Sequence, residues 1–480
     1  MEVFSPRSIG ARLAFLGCAL VCWTCAAPGN VARTQTVEAF PTSGADTDAI
    51  SIVSVDTRDS APAVSTLPVP PVAEEGLLGL RVPVFDPSGA ALQHFRLALE
   101  RAASGEGQAR IVVDGDSHVA SDFFTGFLRE HLQARFGDAG HGFVMPVHPW
   151  RSYRHRGVSV DSDGHRWETL RIRVNQHAMD HYGLGGVAVE SSRAGAFGAV
   201  TIASDGDDDR NASLYDLYYL KQPGGGEVDV FIDGRREERI STASDTRIAG
   251  YATFERPDGP HRFELRLRGN GPVRIFGLAV ERPNSGVIVD ALGLNGARMQ
   301  SQLDWNDALY REHLRRRRPD LVVLWYGTNE AGDDDQPIEI YESQVRRVVQ
   351  RVRETVPEAS CLLMGPSDRP IVDRDAQVFL DRPRTAAVAD VQRRVAVELG
   401  CGFFDVVQFQ GGALATVEWA HFDPPYASPD YVHFTRAGYE RVGDVVLSAL
   451  LQGYSGAALP SAQVGAPHAD LGTNRSSESF

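Results

Sequence analysis

The feature that most restricts this chain is a set of short apolar runs, each followed by a stretch with helical spacing. Ile111-Val112-Val113, Leu321-Val322-Val323-Leu324 and Cys361-Leu362-Leu363-Met364 lack the polar alternation of a half-wet strand, and Phe403 to Val407 is a fourth such segment. Continuous runs of this kind suit strands covered on both faces. Between them the period changes. Phe123, Phe124, Phe127, Leu128, Leu132 and Phe136 share one helical face, opened by Ser121 or Asp122 and stopped at Gly137. Val345, Val348, Val349 and Val352 mark a second helix, and Val388, Val391 and Val395 a third. A last helix runs from about Arg436, after Thr435, to Leu451. This alternation predicts an α/β fold: a parallel sheet between two helical layers, a three-layer α/β/α sandwich.

One long stretch breaks the pattern. From Val144 to Asn284 short alternating runs replace the helical period, as in Trp167 to Arg173, Glu227 to Asp233 and Arg262 to Arg268. Gly224-Gly225-Gly226 and Asp233-Gly234 punctuate them. Many short strands at this spacing predict an all-β sandwich, inserted before the α/β pattern resumes at Val287-Ile288-Val289. The first part of the α/β domain is then 78–143, the insert 144–284 and the second part 285–454. A chain of 480 residues, 42% of them hydrophobic, has the length and apolar content for two such cores.

The ends read differently. Arg7 and Arg12, the apolar stretch Leu13 to Trp23, and the small pair Ala26-Ala27 make 1–27 a signal peptide, too short for a comfortable membrane span of ~20 residues. Export follows from that reading. Phe15-Leu16-Gly17-Cys18 faintly resembles a lipoprotein processing site, with Phe15 a poor match, so a lipid anchor is a weaker alternative to simple cleavage. Residues 28–77 and 455–480, poor in aromatics and rich in small and polar residues, are expected to be a disordered linker and tail. After cleavage only Cys361 and Cys401 remain. An oxidising compartment permits a disulfide between them, and two buried free thiols are an equal alternative. The net charge of −15 argues against a nucleic-acid binder. Arg315 to Arg318 reads as the solvated end of a helix before Pro319.

Chemistry concentrates in four places. Asp114-Gly115-Asp116-Ser117-His118 closes the first apolar run, where a parallel sheet points its carboxyl ends at the ligand crevice. A Ser on that turn is presented for attack, although Gly, Asp and Ser are also ordinary turn residues. A nucleophilic Ser needs a base and a group to orient it. Asp430 and His433 are spaced so that one turn brings carboxylate and imidazole together. An oxyanion needs donors. Asn329, in Gly327-Thr328-Asn329-Glu330, can offer its side-chain amide, and Gly296, in Gly293-Leu294-Asn295-Gly296-Ala297, its backbone N–H. Each is individually explicable as a turn. Their order, with each block read as closing a successive strand, is harder to assign to turns.

In these blocks the chain resembles the SGNH/GDSL hydrolase superfamily. The resemblance implies Ser117 as nucleophile, His433 as base, Asp430 as its orienter, and the N–H of Ser117, Gly296 and Asn329 as the oxyanion hole. His118 stands where many members have Leu, and Glu330 where Asp is frequent. Gly-Asp-Ser-His, Phe136-Gly137-Asp138-Ala139-Gly140, a β-insert, Leu294-Asn295-Gly296-Ala297 and Gly-Thr-Asn-Glu are similar to the peptidoglycan O-acetylesterases of Gram-negative bacteria. Over residues 79 to 453 that resemblance implies a jelly-roll-like, carbohydrate-binding-module-like insert. It also implies a periplasmic or envelope-associated enzyme that removes O-acetyl groups from a glycan, peptidoglycan foremost, with no cofactor and no metal.

Two rivals share the same residues: an O-acetyltransferase using the same triad, and a non-catalytic wall-binding protein. A general acyl-esterase is a third. Within the insert, Asp205, Asp207, Asp208 and Asp209 lack the spaced ligands of a calcium loop and read as solvated. Tyr215, Tyr218 and Tyr219 suit strand core better than sugar stacking.

Overall fold

The computed structural model describes residues 82–172, 181–202 and 211–454, together with two short strands, Gln35–Thr36 and Ser51–Ser54. Five parallel strands form its central sheet: β1 (Gln108–Gly115), β2 (Gly286–Gly293), β3 (Leu321–Trp325), β4 (Ser360–Met364) and β5 (Gly402–Phe404). Their order is β2-β1-β3-β4-β5, with Val113 beside Ala291 on one side and Val323 on the other. The chain adds β2 on one flank of β1 and then crosses to add β3 on the other. Loops leaving β1 and β3 therefore diverge and open a crevice at that point.

Alternate residues of each strand feed two cores. Ile111, Val113, Val289 and Val323 pack with Leu99, Leu128 and Val442, from helices Gln93–Ala103, Phe123–Phe136 and Arg436–Leu451. Val112, Val322 and Leu324 pack with Leu309, Val345, Val349 and Val391, from helices Asp307–Arg317, Ile338–Thr355 and Pro383–Glu398. Period-two strands thus meet period-3.6 helices on both faces. Asn306 and Thr435 cap their helices, accepting from the N–H of Leu309 and Gly438. Two local expectations change. Asp122 makes no capping bond to the helix it precedes; its carboxylate instead binds Arg129 and Thr125. The fourth apolar segment stops early, because the Asp405 carboxylate accepts from the Gln408 N–H and opens a short helix, Val406–Gln410.

Between the Phe123–Phe136 helix and β2 the chain forms two antiparallel sheets. One orders strands 235–241, 227–232, 262–267, 197–202 and 158–162; the other orders 248–259, 212–221, 273–281, 187–191 and 168–171. Gly140–Val144 pairs with Val273–Glu281 at the second sheet. Their facing residues, among them Val200, Val230, Phe263, Leu217 and Val280, make a separate core. Tyr215, Tyr218 and Tyr219 are buried strand residues. The all-β module lies in the sequence interval where the hydropathy period breaks.

Helix Asp307–Arg317 joins the two modules. Its end is less solvated than its charge suggests: Arg317 is 3% exposed and forks onto Asp290 of β2 at 2.7 and 2.8 Å. Arg317 also pairs with Glu281, which receives Arg110 of β1, and Arg316 pairs with Asp216. Burial would raise the Glu281 carboxyl, but the two guanidiniums outweigh it and bring it down to about 2. A buried carboxylate stays charged here only because it is so paired.

Cys361 and Cys401 form a disulfide, with Cα atoms 4.6 Å apart, between β4 and the start of β5. No described helix is long and apolar enough to cross a membrane. The leader 1–27, the tail 455–480 and the acidic run Asp205–Asp209 lie outside the described residues, as does the linker apart from its two short strands.

Candidate active site

The first strand end sets the position of Ser117. A Cβ at Gly115 would fall 2.4 Å from Val119 Cγ2 and 2.7 Å from the Trp325 carbonyl, so only glycine lets the chain turn this tightly against β3. The Asp116 N–H then donates to the Trp325 carbonyl, and the Asp116 carboxylate accepts from the His118 N–H at 2.9 Å. Ser117 opens a single helical turn, Ser117–Ala120. Its N–H, as the first of that turn, has no intrahelical acceptor.

His433 arrives from the far end of the sequence. Its Nε2 lies 2.8 Å from Ser117 Oγ, and its Nδ1 lies 2.6 Å from Asp430 Oδ2. The other Asp430 oxygen accepts from the N–H of Val432 and of His433, both at 3.0 Å. That turn places Tyr431 at φ 56°, a left-handed conformation costly for a non-glycine residue. Tyr431 is packed on Phe379 at 4.6 Å. Local bonding and packing together hold the loop.

The electrostatics suit a proton acceptor. The Asp430 hydrogen bond raises the pKa of His433, against burial, and Arg369 lowers it. Burial raises the Asp430 carboxyl, but the imidazole and two backbone donors win and bring it to about 2. An ionised Asp430 accepting from Nδ1–H leaves Nε2 with its lone pair toward the hydroxyl. Burial pushes the neighbouring Asp116 up to about 7.

The two candidate oxyanion donors, Gly296 and Asn329, lie on the loops after β2 and β3. Gly296 adopts φ 67°, which glycine takes without strain, in a turn closed by the Ala297 N–H on the Leu294 carbonyl. Asn329 Nδ2 donates to the Ala297 carbonyl at 3.0 Å and lies 3.3 Å from Asp116 Oδ2, which aims it between the two loops. Glu330 ties these loops from beneath, accepting from the N–H of Met299 at 2.7 Å and of Gly327 at 3.1 Å. The five residues singled out in the sequence thus converge at one crevice, the β1/β3 crossover.

The placement differs from expectation in one respect. Asp430 and His433 do not close a strand; they precede the helix Arg436–Leu451. The fourth strand end, after β4, instead carries Gly365-Pro366-Ser367-Asp368-Arg369, which sequence reasoning passed over. Ser367 Oγ lies 3.0 Å from His118 Nε2 and 3.1 Å from Thr328 Oγ1. His118 is fully buried, stacked on Trp325 at 5.1 Å and bonded to the Tyr439 hydroxyl. Burial lowers its pKa, which favours the neutral ring, and the ring forms a hydrogen-bonded wedge beneath Ser117. Position after a buried strand was the signal available for Ser367 and Arg369. Among the described residues, no group of three or more His, Cys, Asp or Glu is arranged to hold a metal ion.

The chain is similar to the following known proteins. Residues 264–441 match the model of the GDSL-like lipase/acylhydrolase family, a span containing Gly296, Asn329, Asp430 and His433 but not Ser117. A solved peptidoglycan O-acetylesterase is 27% identical with a TM-score of 0.62, covering 75% of this chain and 96% of its own. A family two carbohydrate esterase from Cellvibrio japonicus is 13% identical with a TM-score of 0.25, covering 62% of this chain and 98% of its own. An acetyl xylan esterase is 17% identical with a TM-score of 0.26, covering 34% of this chain and 80% of its own. No curated protein sequence matches the chain. With the sheet order and the converging loops, the family model and the first of these structures identify the chain as a hydrolase of ester bonds with the SGNH fold, resembling the peptidoglycan O-acetylesterases.

Proposed function

We propose that the chain is an exported serine esterase that removes O-acetyl groups from a carbohydrate polymer, most directly peptidoglycan, through an acyl-enzyme on Ser117. The observation that carries the reading is the hydrogen-bonded line from Asp430 through His433 to Ser117, at 2.6 and 2.8 Å. In the proposed reaction Ser117 Oγ attacks the acetyl carbonyl carbon as His433 Nε2 accepts its proton. The developing oxyanion meets the N–H of Ser117, the N–H of Gly296 and Asn329 Nδ2, each such donor being worth ~3–4 kcal/mol. Collapse expels the sugar oxygen, which takes the proton from His433. Water then attacks the acetyl-serine, giving a proton to His433; as the C–O bond to Ser117 breaks, that proton passes to Ser117 Oγ and the acetyl group leaves as acetic acid, which ionises to acetate.

The substrate class is supported by the likeness to a peptidoglycan O-acetylesterase. Export is supported by the leader-like 1–27 and by the buried Cys361–Cys401 disulfide, since such bonds persist in oxidising compartments. The two antiparallel sheets are read as one carbohydrate-binding-module-like insert over 144–284, between hydrolase parts 78–143 and 285–454.

The test is acetate release from O-acetylated peptidoglycan by the wild type and by Ser117→Ala. The wild type should release acetate and the variant none, at an unchanged melting temperature. Turnover retained by Ser117→Ala rejects the nucleophile. Hydrolysis of p-nitrophenyl acetate without release from the polymer rejects the substrate.

A further inference from the structure

The loop after β4 brings to the crevice one cation, Arg369, that forms no ion pair among the described residues. Arg369 Nη1 donates to the carbonyls of Thr328 at 2.8 Å and of Asn329 at 3.3 Å. Its guanidinium lies flat on Gly332, where a Cβ would come within 2.5 Å of Nη1 and 2.8 Å of Cζ. Two carboxylates stand nearby, and each is taken: Asp333 forks onto Arg298, and Asp334 pairs with Arg382. Three guanidiniums therefore share two carboxylates, and Arg369 forms no ion pair among the described residues. Arg382 also binds the Arg369 carbonyl at 3.1 Å, which fixes the backbone that carries the guanidinium.

Such an arrangement is costly unless the charge has work to do. Burial lowers the Arg369 pKa, and Arg382 and Arg298 lower it further, together outweighing the attraction of Asp333 and Asp334. The atoms that Arg369 holds are the backbone oxygens of Thr328 and of Asn329, the residue whose side-chain amide is the proposed oxyanion donor. We infer that Arg369 is a positioning residue: it holds the Thr328–Asn329 backbone in register for the oxyanion, and its charge is felt at His433 in the same crevice. Preorganised donors and fixed charges stabilise a transition state because they need no rearrangement when charge develops. The inference rests on Asn329 being an oxyanion donor, and the experiment below separates the two ideas.

The readouts are kcat, KM and the pH profile for p-nitrophenyl acetate, with melting temperature as the folding control. Arg369→Gln removes the charge and the fork. Its kcat should fall about 10- to 100-fold, below the ~10²–10³ of deleting a donor outright, with KM within about twofold. The charged and titratable groups facing His433 are Asp430, Asp116, His118 and Arg369, and Arg369 lowers its pKa. Removing that cation raises the His433 pKa, so the acid limb of the profile should move to higher pH. Arg369→Lys keeps the charge but replaces the planar guanidinium seated on Gly332 with a shorter, more strongly hydrated ammonium; its limb should stay in place while kcat falls less than in Arg369→Gln. Gly332→Ala displaces the guanidinium while leaving the charge on the chain, and should lower kcat in a folded protein should Arg369→Gln fail to fold.

Arg369→Gln with kcat within twofold of wild type overturns the inference. A lowered kcat with an unmoved acid limb overturns the electrostatic half. If Asn329→Ala itself leaves kcat intact, the oxyanion assignment fails rather than the role of Arg369 alone. Turnover persisting in Ser117→Ala rejects the esterase site as a whole.

Discussion

Asp430→Asn separates the proposed orienting role of this carboxylate from its role in building the loop. In the wild type one oxygen accepts the N–H of Val432 and His433, and the other accepts from the imidazole Nδ1 at 2.6 Å. An asparagine can keep the first pair through its carbonyl oxygen, so the Tyr431 turn survives. Its NH2 group then faces Nδ1. Two donors cannot share that contact, so Nδ1 must become the acceptor and the ring proton moves to Nε2. The imidazole then points N–H, not a lone pair, at Ser117 Oγ, and the base is disabled without a cavity or a broken core contact. In triads of this kind that swap costs ~10⁴ in kcat, about 5.5 kcal/mol of barrier. A second signature has a definite sign. Asp430 raises the His433 pKa, so its neutralisation lowers that pKa and moves the acid limb of kcat/KM to lower pH, while the plateau drops. The assay is p-nitrophenyl acetate hydrolysis across pH 4 to 9, with thermal unfolding alongside. A loss below about tenfold, or an acid limb that rises, refutes the reasoning.

Three further outcomes follow from the same geometry. Asn329→Ala should lower kcat by ~10²–10³ with little change in KM, because the lost bond forms fully only to the oxyanion; an equal loss expressed in KM counts against it. Replacing Cys361 and Cys401 with Ala should lower unfolding free energy by about 4 kcal/mol, from a sequence separation of 40 residues. Urea unfolding measures this, and a change under about 1 kcal/mol contradicts a stabilising cross-link. Arg317→Met should cost ~3–5 kcal/mol in the same assay, since it leaves Glu281 and Asp290 buried with fewer counter-charges. A near-neutral result implies that those carboxylates take up protons or water.

What the sequence disclosed depended on how local the cause was. The β3 run Leu321–Trp325 and the helix Ile338–Thr355 were legible because period alone separates a doubly buried strand from a one-faced helix. The pairing of Asp430 with His433 was legible for the same reason, being one turn long. Arg317 was misjudged as solvated because its partners, Glu281 and Asp290, belong to the insert and to β2, and only the fold brings them together. His118 looked like a departure from a pattern; its purpose lies in Trp325, Ser367 and Tyr439, which no spacing rule connects. The end of β5 was overrun because Asp405 reads as a polar interruption in a strand, whereas its carboxylate caps a helix. Arg369 was passed over because an arginine after a strand gives no hint of which carboxylates its neighbours have already claimed.

The most direct test is to trap the nucleophile. Intact-mass and peptide mass spectrometry after treatment with a fluorophosphonate should show a single adduct, on the peptide containing Ser117, absent from Ser117→Ala and much slower to form in Asp430→Asn. Labelling at another serine, or at an undiminished rate in Ser117→Ala, would contradict the account.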